Sequence, residues 1–397
     1  MKKSRLLLSL IAIMLLVATV MTLFACGNES STAPADPTPI APGEGTIGGT
    51  DTDLTVTDLA GRTLLLNRDK IQKVVCVGAG SLRLYSYVAD LAKIIAVEDI
   101  EKTRTTGRVS YRAYQIANEE LFATLPSAGV GGPQAQILNK ERLTELSPDV
   151  VFSCLSLTAD ELLDAERAIG CPIVTLKYGP QKAFSEELLQ SLELIGKVMK
   201  TEVRATEVVD YIKSLKADLA TIAQGKTSAK IYLGCNSNWG MKGFLSTSKN
   251  YPIFTVSGIA NVMDGDTMVV SSDGYADLEA VVSSDADKII LDAGGLAVFK
   301  GEYEEVGGHL SSTLAEMKAF ADKEVYLMMP NNAYDANVET CFINAYFALN
   351  VAYELDIDIR AKAEEITSFF LHKSLYDDIV TYGGYQKLDL PDVWPTK

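Results

Sequence analysis

The chain has 397 residues, 52 of them acidic and 36 basic, for a formal net charge of −16 at pH 7. A surface this acidic repels a phosphate backbone, which argues against a nucleic-acid partner, and it keeps the chain off anionic lipid headgroups. Only two histidines and no C-x-x-C spacing argue against a His-rich or Cys-based metal site.

Lys2, Lys3 and Arg5 precede an apolar run from Leu6 to Phe24 that closes on Leu23-Phe24-Ala25-Cys26-Gly27. A basic start, an apolar stretch and a small residue before the cut form an export signal. A membrane span needs about 20 apolar residues, so length alone also fits a retained helix. The small residue before Cys26, with Leu23 three positions upstream, resembles the lipobox of bacterial lipoproteins. That resemblance implies removal of residues 1–25, a diacylglycerol on the Cys26 sulfur, and a protein anchored at the extracytoplasmic face of the cell membrane. Two acyl chains give the stable hold that one does not. Residues 26–53 are then a lipidated tether. They are dominated by Ser, Thr, Pro, Gly, Ala and Asp, which cannot bury enough surface to order themselves, and as a coil they reach roughly 30 Å.

From Leu54 to Lys397 the chain exceeds the size at which one core divides, so two lobes are expected. Thr55–Asp58 and Thr63–Leu66 flank Ala60-Gly61 and predict a hairpin. Val74–Val77, Ile94–Val97, Val150–Phe152 and Ile173–Leu176 are short runs, apolar on both faces and separated by helix-length stretches. Such runs suit a parallel sheet covered on both sides. The same texture returns at Lys230–Gly234, Lys288–Leu291 and Glu324–Met328. The reading is an α/β protein of two Rossmann-like lobes with parallel-rich sheets: residues 54–180, a helical segment over 181–224, and 225–397 with terminal helices. Between the lobes, Val208, Ile212, Leu215, Leu219 and Ile222 trace one helix stripe within a predicted helix over 202–223. At 1.5 Å per residue it is about 33 Å long, a stiff connector that lets the lobes rock only slightly. The stretch from Thr340 to Val380 is helical in pattern. It is expected to cap the second lobe, and a crossing back to the first stays open. Cys76, Cys154 and Cys235 sit in or beside strand runs as buried thiols. A Cys154–Cys171 disulfide is left open.

Two segments repeat one pattern. Glu141 is followed eight residues later by Asp149 and a strand, and Glu279 is followed eight residues later by Asp287 and a strand. Each Glu falls near a helix start, where the dipole favours a carboxylate. On spacing alone, two glutamates facing water satisfy the pattern. Thr57-Asp58-Leu59-Ala60-Gly61-Arg62, then Val75-Cys76-Val77-Gly78-Ala79-Gly80, Leu125-Pro126 with Gly129, Asn139-Lys140-Glu141-Arg142 and Leu146-Ser147-Pro148-Asp149-Val150-Val151 follow in order. They resemble the iron-complex and corrinoid substrate-binding lipoproteins of ABC importers, over nearly the whole chain after Cys26. The resemblance implies two lobes joined by a rigid helix and capture of a metal chelate (ferric siderophore, haem or corrinoid) without a resident cofactor, the iron or cobalt belonging to the ligand. It also implies a monomer that delivers to a permease dimer with its ATPase subunits. Glu141 and Glu279 match the glutamates that dock into arginine pockets of the permease. Asp285-Ala286 departs from the family's usual proline before the second acidic residue, which weakens the second match.

In two-lobed α/β proteins ligands bind beyond the carboxyl ends of strands. That directs attention to Gly78, Gly80, Ser81 and Arg83 after the Val74–Val77 strand, and to Arg108, Tyr111, Arg112 and Tyr114 in the loop after Val97. Arginines suit anionic chelates and aromatics suit a corrin ring. In the second lobe, Asn236, Asn238, Trp239 and Gly294-Gly295 follow strands, as do Asn331, Asn332 and Tyr334. Tyr85, Tyr111 and Tyr334 are candidates for a tyrosinate on haem iron. An enzyme is disfavoured: there is no G-x-S-x-G, H-E-x-x-H or P-loop. A free-metal-ion carrier of the same fold is an alternative, though such sites usually draw on converging His and carboxylates and the chain has two His. A sensory lipoprotein of the same fold would have a similar sequence.

Overall fold

The computed structural model describes residues 53–102, 112–132, 137–237, 240–265, 274–305, 309–380 and 384–390. β1 (Asp53–Thr57) and β2 (Thr63–Asn67) form the antiparallel hairpin. Its turn is built by Asp58, whose fully buried carboxylate accepts from the Ala60 and Arg62 amides at 3.0 and 2.9 Å and pairs with the Arg62 guanidinium at 2.8 Å.

The first sheet contains β3 (Val74–Val77), β4 (Ile94–Ala96), β5 (Val150–Ser153) and β6 (Ile173–Thr175), in the order β4-β3-β5-β6 and all parallel. The second contains β7 (Ile231–Gly234), β8 (Lys288–Asp292), β9 (Val325–Met328) and β10 (Gln386–Lys387), in the order β10-β9-β8-β7. β7, β8 and β9 are parallel, and only the two-residue β10 runs against its neighbour. Every residue of β3, β5, β7 and β8 is buried, as expected where helices cover both faces.

Helices follow the strands: α1 (Ser81–Val88), α2 (Lys140–Leu146), α3 (Ala159–Ile169), α4 (Glu186–Met199), α5 (Glu202–Ala223), α6 (Leu278–Ser283), α7 (Leu296–Glu304), α8 (Val338–Tyr353) and α9 (Ile359–Leu371). α3 starts with a reciprocal cap between Thr158 and Glu161. α5 is the expected connector, with Ala205, Val208, Ile212, Leu215 and Leu219 buried along one face. Near its start Arg204 donates to the Tyr87 carbonyl at 3.0 Å, and further along Asp218 accepts from Tyr346 of α8 at 2.7 Å. One rod is thereby tied to both lobes.

The C-terminal helices do cross back. Phe370 of α9 packs against Tyr87 of α1 with ring centroids 4.8 Å apart, and Arg204 donates to the Phe369 carbonyl at 2.5 Å. A single apolar core accordingly runs from α1 through α4, α5, α8 and α9, and the described residues pack as one compact unit. All five described cysteines are free thiols, so Cys154 and Cys171 are not bridged. Burial raises each of them, Cys341 up to about 12, which disfavours the thiolate form.

The repeated Glu-to-Asp pattern has a structural cause. Asp149 accepts from the Gln72 and Lys73 amides at 2.8 and 2.7 Å, and its own amide donates to the Lys73 carbonyl at 2.8 Å. Asp287 accepts from the Lys230 amide at 3.0 Å and donates to the Lys230 carbonyl at 2.9 Å. Each aspartate pins the start of one sheet's neighbouring strand. Ser147 and Asp285, two residues before, both turn through positive φ, at 48° and 49°. Asp285-Ala286 therefore takes the backbone path of Ser147-Pro148 without a proline. Asp149→Ala and Asp287→Ala are each expected to cost about 1 kcal/mol in urea unfolding, since each removes the acceptor of amides that lead into a strand. Equal stability of the variants and the parent protein would remove this role.

Candidate functional site

A cavity of about 310 Å³ opens where the two lobes meet. The first-lobe side contributes Pro180, Gln181, Lys182 and Phe184, which follow β6. The second lobe contributes Asn236 after β7, the stretch Ser248 to Ile253, Asn331 and Asn332 after β9, and Ala336 and Cys341 at the start of α8. The carboxyl ends of strands thus supply the walls, as the fold dictates. Four asparagines and two lysines line this space and, among the described residues, no carboxylate does, although Lys182 is paired with Asp335 just outside it. In a chain of net charge −16 that is a local reversal, and it suits an anionic or carbonyl-rich ligand.

The walls are held from behind. Tyr251 donates to Asn331 Oδ1 at 2.8 Å, which orients that carboxamide. Asp292, at the end of β8, accepts from the Ser237 hydroxyl at 2.6 Å, the Ser237 amide at 3.1 Å and the Gly294 amide at 2.8 Å. Burial raises the Asp292 carboxyl, and these three donors oppose the shift. It is a brace for the loops after β7 and β8.

The loop from Asn331 to Ala336 is gripped by the opposite lobe. Arg83 is fully buried, and its guanidinium donates to the carbonyls of Ala333 at 2.8 Å, Tyr334 at 3.2 Å and Ala336 at 2.9 Å. It also donates to the Tyr178 hydroxyl at 3.0 Å and lies 4.7 Å from the centre of the Tyr114 ring. Lys182 pairs with Asp335 at 3.1 Å, and the Tyr334 hydroxyl donates to Glu98 Oε2 at 2.6 Å. Tyr334 and Asp335 are both at positive φ, 55° and 66°, a conformation that side chains hold only when their surroundings fix it. Burial pushes the Glu98 carboxyl up to about 7, against the donors Tyr334 and Gly78. Nearby, Glu339 is fully buried, accepts from Tyr87, and is raised by burial against the pull of Arg83.

Several predicted ligand residues have other work in this structure. Ser81 is fully buried and donates to the Phe152 carbonyl at 3.0 Å. Gly78 and Gly80 are at φ 82° and 84°, but what approaches them is protein: Leu155 packs on Gly78, and a Cβ on Gly80 would collide with Tyr178. Arg83 grips the second lobe and does not line the cavity. Arg112 pairs with Glu101 at 3.0 Å, and Tyr114 donates to the same carboxylate at 2.7 Å. Glu101 is only 2% exposed, and a buried carboxylate draws in the nearest cation and hydroxyl. Tyr334 bridges the lobes through Glu98, and burial beside that carboxyl raises its hydroxyl, as burial raises Tyr85 in the core. Both shifts oppose a tyrosinate. Asn236, Asn331 and Asn332 do reach the cavity. Arg108, Tyr111, Asn238, Trp239 and Cys26 lie outside the described residues. Glu141 and Glu279 are exposed in the first turns of α2 and α6, two residues after the N-caps Asn139 and Asp277. Sequence reasoning missed Pro180–Phe184 and Ser248–Ile253. Their signal is the turn chemistry of Gly179-Pro180 and Asn250-Tyr251-Pro252.

A family model described as periplasmic binding protein matches residues 81–331, more than half of the chain. No curated protein matches. Among solved structures, a periplasmic solute-binding protein of Veillonella parvula is 20% identical, covering 82% of this chain and 95% of its own, with a TM-score of 0.61. An ABC transporter solute-binding protein of Sulfurospirillum deleyianum is 16% identical over 82% and 97%, with a TM-score of 0.58. The molybdate-bound periplasmic binding protein MolA of Haemophilus influenzae is 18% identical over 81% and 99%, with a TM-score of 0.60. At these identities the structures share the fold. The match over residues 81–331 decides the family: this chain belongs to the periplasmic binding proteins, the solute-binding components of ABC transporters.

Proposed function

We propose that this protein is a lipoprotein anchored through Cys26 that captures a metal-chelate ligand between its lobes and presents it to an ABC permease and its ATPase subunits. A ferric siderophore, haem or a corrinoid would meet the description. The observation that carries the reading is the cavity between the lobes, where asparagines and lysines, and no carboxylate among the described lining residues, face an acidic protein's ligand space. Anionic oxygens of a chelate would accept from Lys249 and the carboxamides, and would compete with Asp335 for Lys182. Glu141 and Glu279, one exposed on each lobe, are the proposed docking contacts, since charge pairs at a transient interface set orientation and association rate.

A second reading rests on size. A cavity of about 310 Å³ is at the small end of ligand sites, and MolA of the same fold is described as binding molybdate. A small oxyanion is therefore the alternative. The test is calorimetric titration of residues 54–397 with haemin, cyanocobalamin, several ferric siderophores and molybdate. One-to-one saturation below about 1 μM by a chelate, roughly −8 kcal/mol, is the expected result. Saturation by molybdate alone would replace the chelate reading with the oxyanion one, and no binding across the panel would remove both.

A further inference from the structure

Each lobe carries more than an exposed glutamate. Ile137 is four residues before Glu141 and is 79% exposed, and Tyr275 is four residues before Glu279 and is 38% exposed. Both stand two residues ahead of an N-cap, Asn139 and Asp277, whose side chains accept from Arg142 and Ala280 amides at 3.0 Å. The two helix starts are therefore capped in the same way. Each apolar side chain has an apolar companion. Val130, 73% exposed, follows Gly129, which lies against Asn139. Met241, 49% exposed, adjoins Lys242, whose ammonium sits 4.9 Å from the centre of the Tyr275 ring.

Exposed apolar residues scattered singly need no explanation. Here Ile137 and Tyr275 stand at the same offset from a side-chain-capped helix start in both halves of the molecule, each with a second exposed apolar residue on a neighbouring segment. A carboxylate beside an apolar side chain is the usual make-up of a specific interface, where the charge steers and the desolvated apolar or aromatic group supplies affinity. Two equivalent patches on one chain call for a partner with two equivalent receiving surfaces, which a two-fold dimer presents.

Building on the docking reading above, we propose that Ile137 and Tyr275 are the apolar anchors of the permease-facing surface, each entering an apolar recess beside the cationic pocket that receives Glu141 or Glu279 on one subunit of a membrane permease dimer. Val130 and Met241 flank them and exclude water from the charge pair. The anchors set how long the complex lasts, and the glutamates set how fast it forms.

The test uses the full-length lipidated chain and the host's permease–ATPase complex in lipid nanodiscs, the complex being the one whose ATP hydrolysis the wild-type chain raises. Dissociation constants are measured for I137D, Y275D, the milder I137A and Y275S, the pair E141A/E279A, and V203D as a control. Val203 is 76% exposed at the start of α5, outside both patches. Each aspartate variant is expected to weaken the complex by about tenfold or more, with the smaller truncations weakening it less, mainly through faster dissociation. V203D should leave the constant unchanged, and all variants should keep the parent's melting temperature. If E141A/E279A weakens the complex while I137D and Y275D do not, the anchor proposal is wrong and the docking reading stands. An equal loss in V203D also overturns it, as a general effect of surface charge. If no permease complex responds to the wild-type chain, or E141A/E279A binds it as tightly as the parent, the docking reading falls and this proposal with it.

Discussion

Arg83→Met is expected to destabilise the protein by about 3–5 kcal/mol and to weaken ligand binding at the same time. The guanidinium satisfies three carbonyls of one loop, those of Ala333, Tyr334 and Ala336, together with the Tyr178 hydroxyl. Its side chain is fully buried, so water does not replace those bonds when it is removed. A buried acceptor left without its donor costs about 1–3 kcal/mol, and four partners are affected. Glu339, also fully buried, would lose its neighbouring cation. Binding suffers because the same loop carries Asn331 and Asn332 into the cavity. Arg83→Lys should recover less than half of the loss, because a single ammonium cannot reproduce the fork that spans oxygens of residues 333 to 336. Urea unfolding followed by tyrosine fluorescence reads the stability. A variant within about 1 kcal/mol of the parent would show that the grip is geometrically present but energetically idle.

That role was out of reach of the sequence, and the reason is physical. Arg83 meets carbonyls some 250 positions away, and a contact at that separation leaves no periodicity or local spacing. A backbone carbonyl as partner leaves no residue-type signal either. Ser81 followed the same course: small, polar and just past a strand, it looked like a ligand residue, and it is fully buried against the Phe152 carbonyl. Arg112 and Tyr114 turned inward because Glu101, only 11 and 13 residues earlier, is buried and must be neutralised. What was legible is what burial writes into neighbouring positions. Val74–Val77 and Lys288–Asp292 read as strands because both faces are covered. The 202–223 helix was readable because one stripe faces α4 and α8 while the other meets water. The Glu141 and Glu279 segments matched because Asp149 and Asp287 perform the same strand-pinning in each sheet, which fixes the spacing between each glutamate's helix and the strand that follows. The cavity walls were half legible for a related reason. Asn236, Asn331 and Asn332 sit just past strands, where the fold places ligand contacts, whereas Pro180–Phe184 and Ser248–Ile253 are turns running into a three-residue 3-10 helix and a five-residue α-helix, too short to show a period.

Glu98→Gln is expected to stabilise the protein at pH 8 and to do little at pH 5. Burial pushes the Glu98 carboxyl up to about 7 from an ordinary value of 4.5, with Glu101 and Asp99 adding in the same direction and the Tyr334 hydroxyl and Gly78 amide opposing it. The folded protein therefore holds a proton that the unfolded chain releases. The stability tied to this group is complete below pH 4.5 and is lost as pH rises through 7. A gap of that size corresponds to about 3 kcal/mol at most. Glutamine is neutral at every pH, and its oxygen still accepts from Tyr334 and Gly78, so the difference between variant and parent isolates this one titration from other buried acids such as Asp292 and Glu339. Because Tyr334 belongs to the second lobe and Glu98 to the first, the same substitution should also make ligand affinity less dependent on pH between 5 and 8. Thermal unfolding across that range gives the answer. A constant offset between the two proteins would mean that Glu98 is ionised throughout and that the bond to Tyr334 is an ordinary carboxylate contact, with no titration coupled to the junction of the lobes.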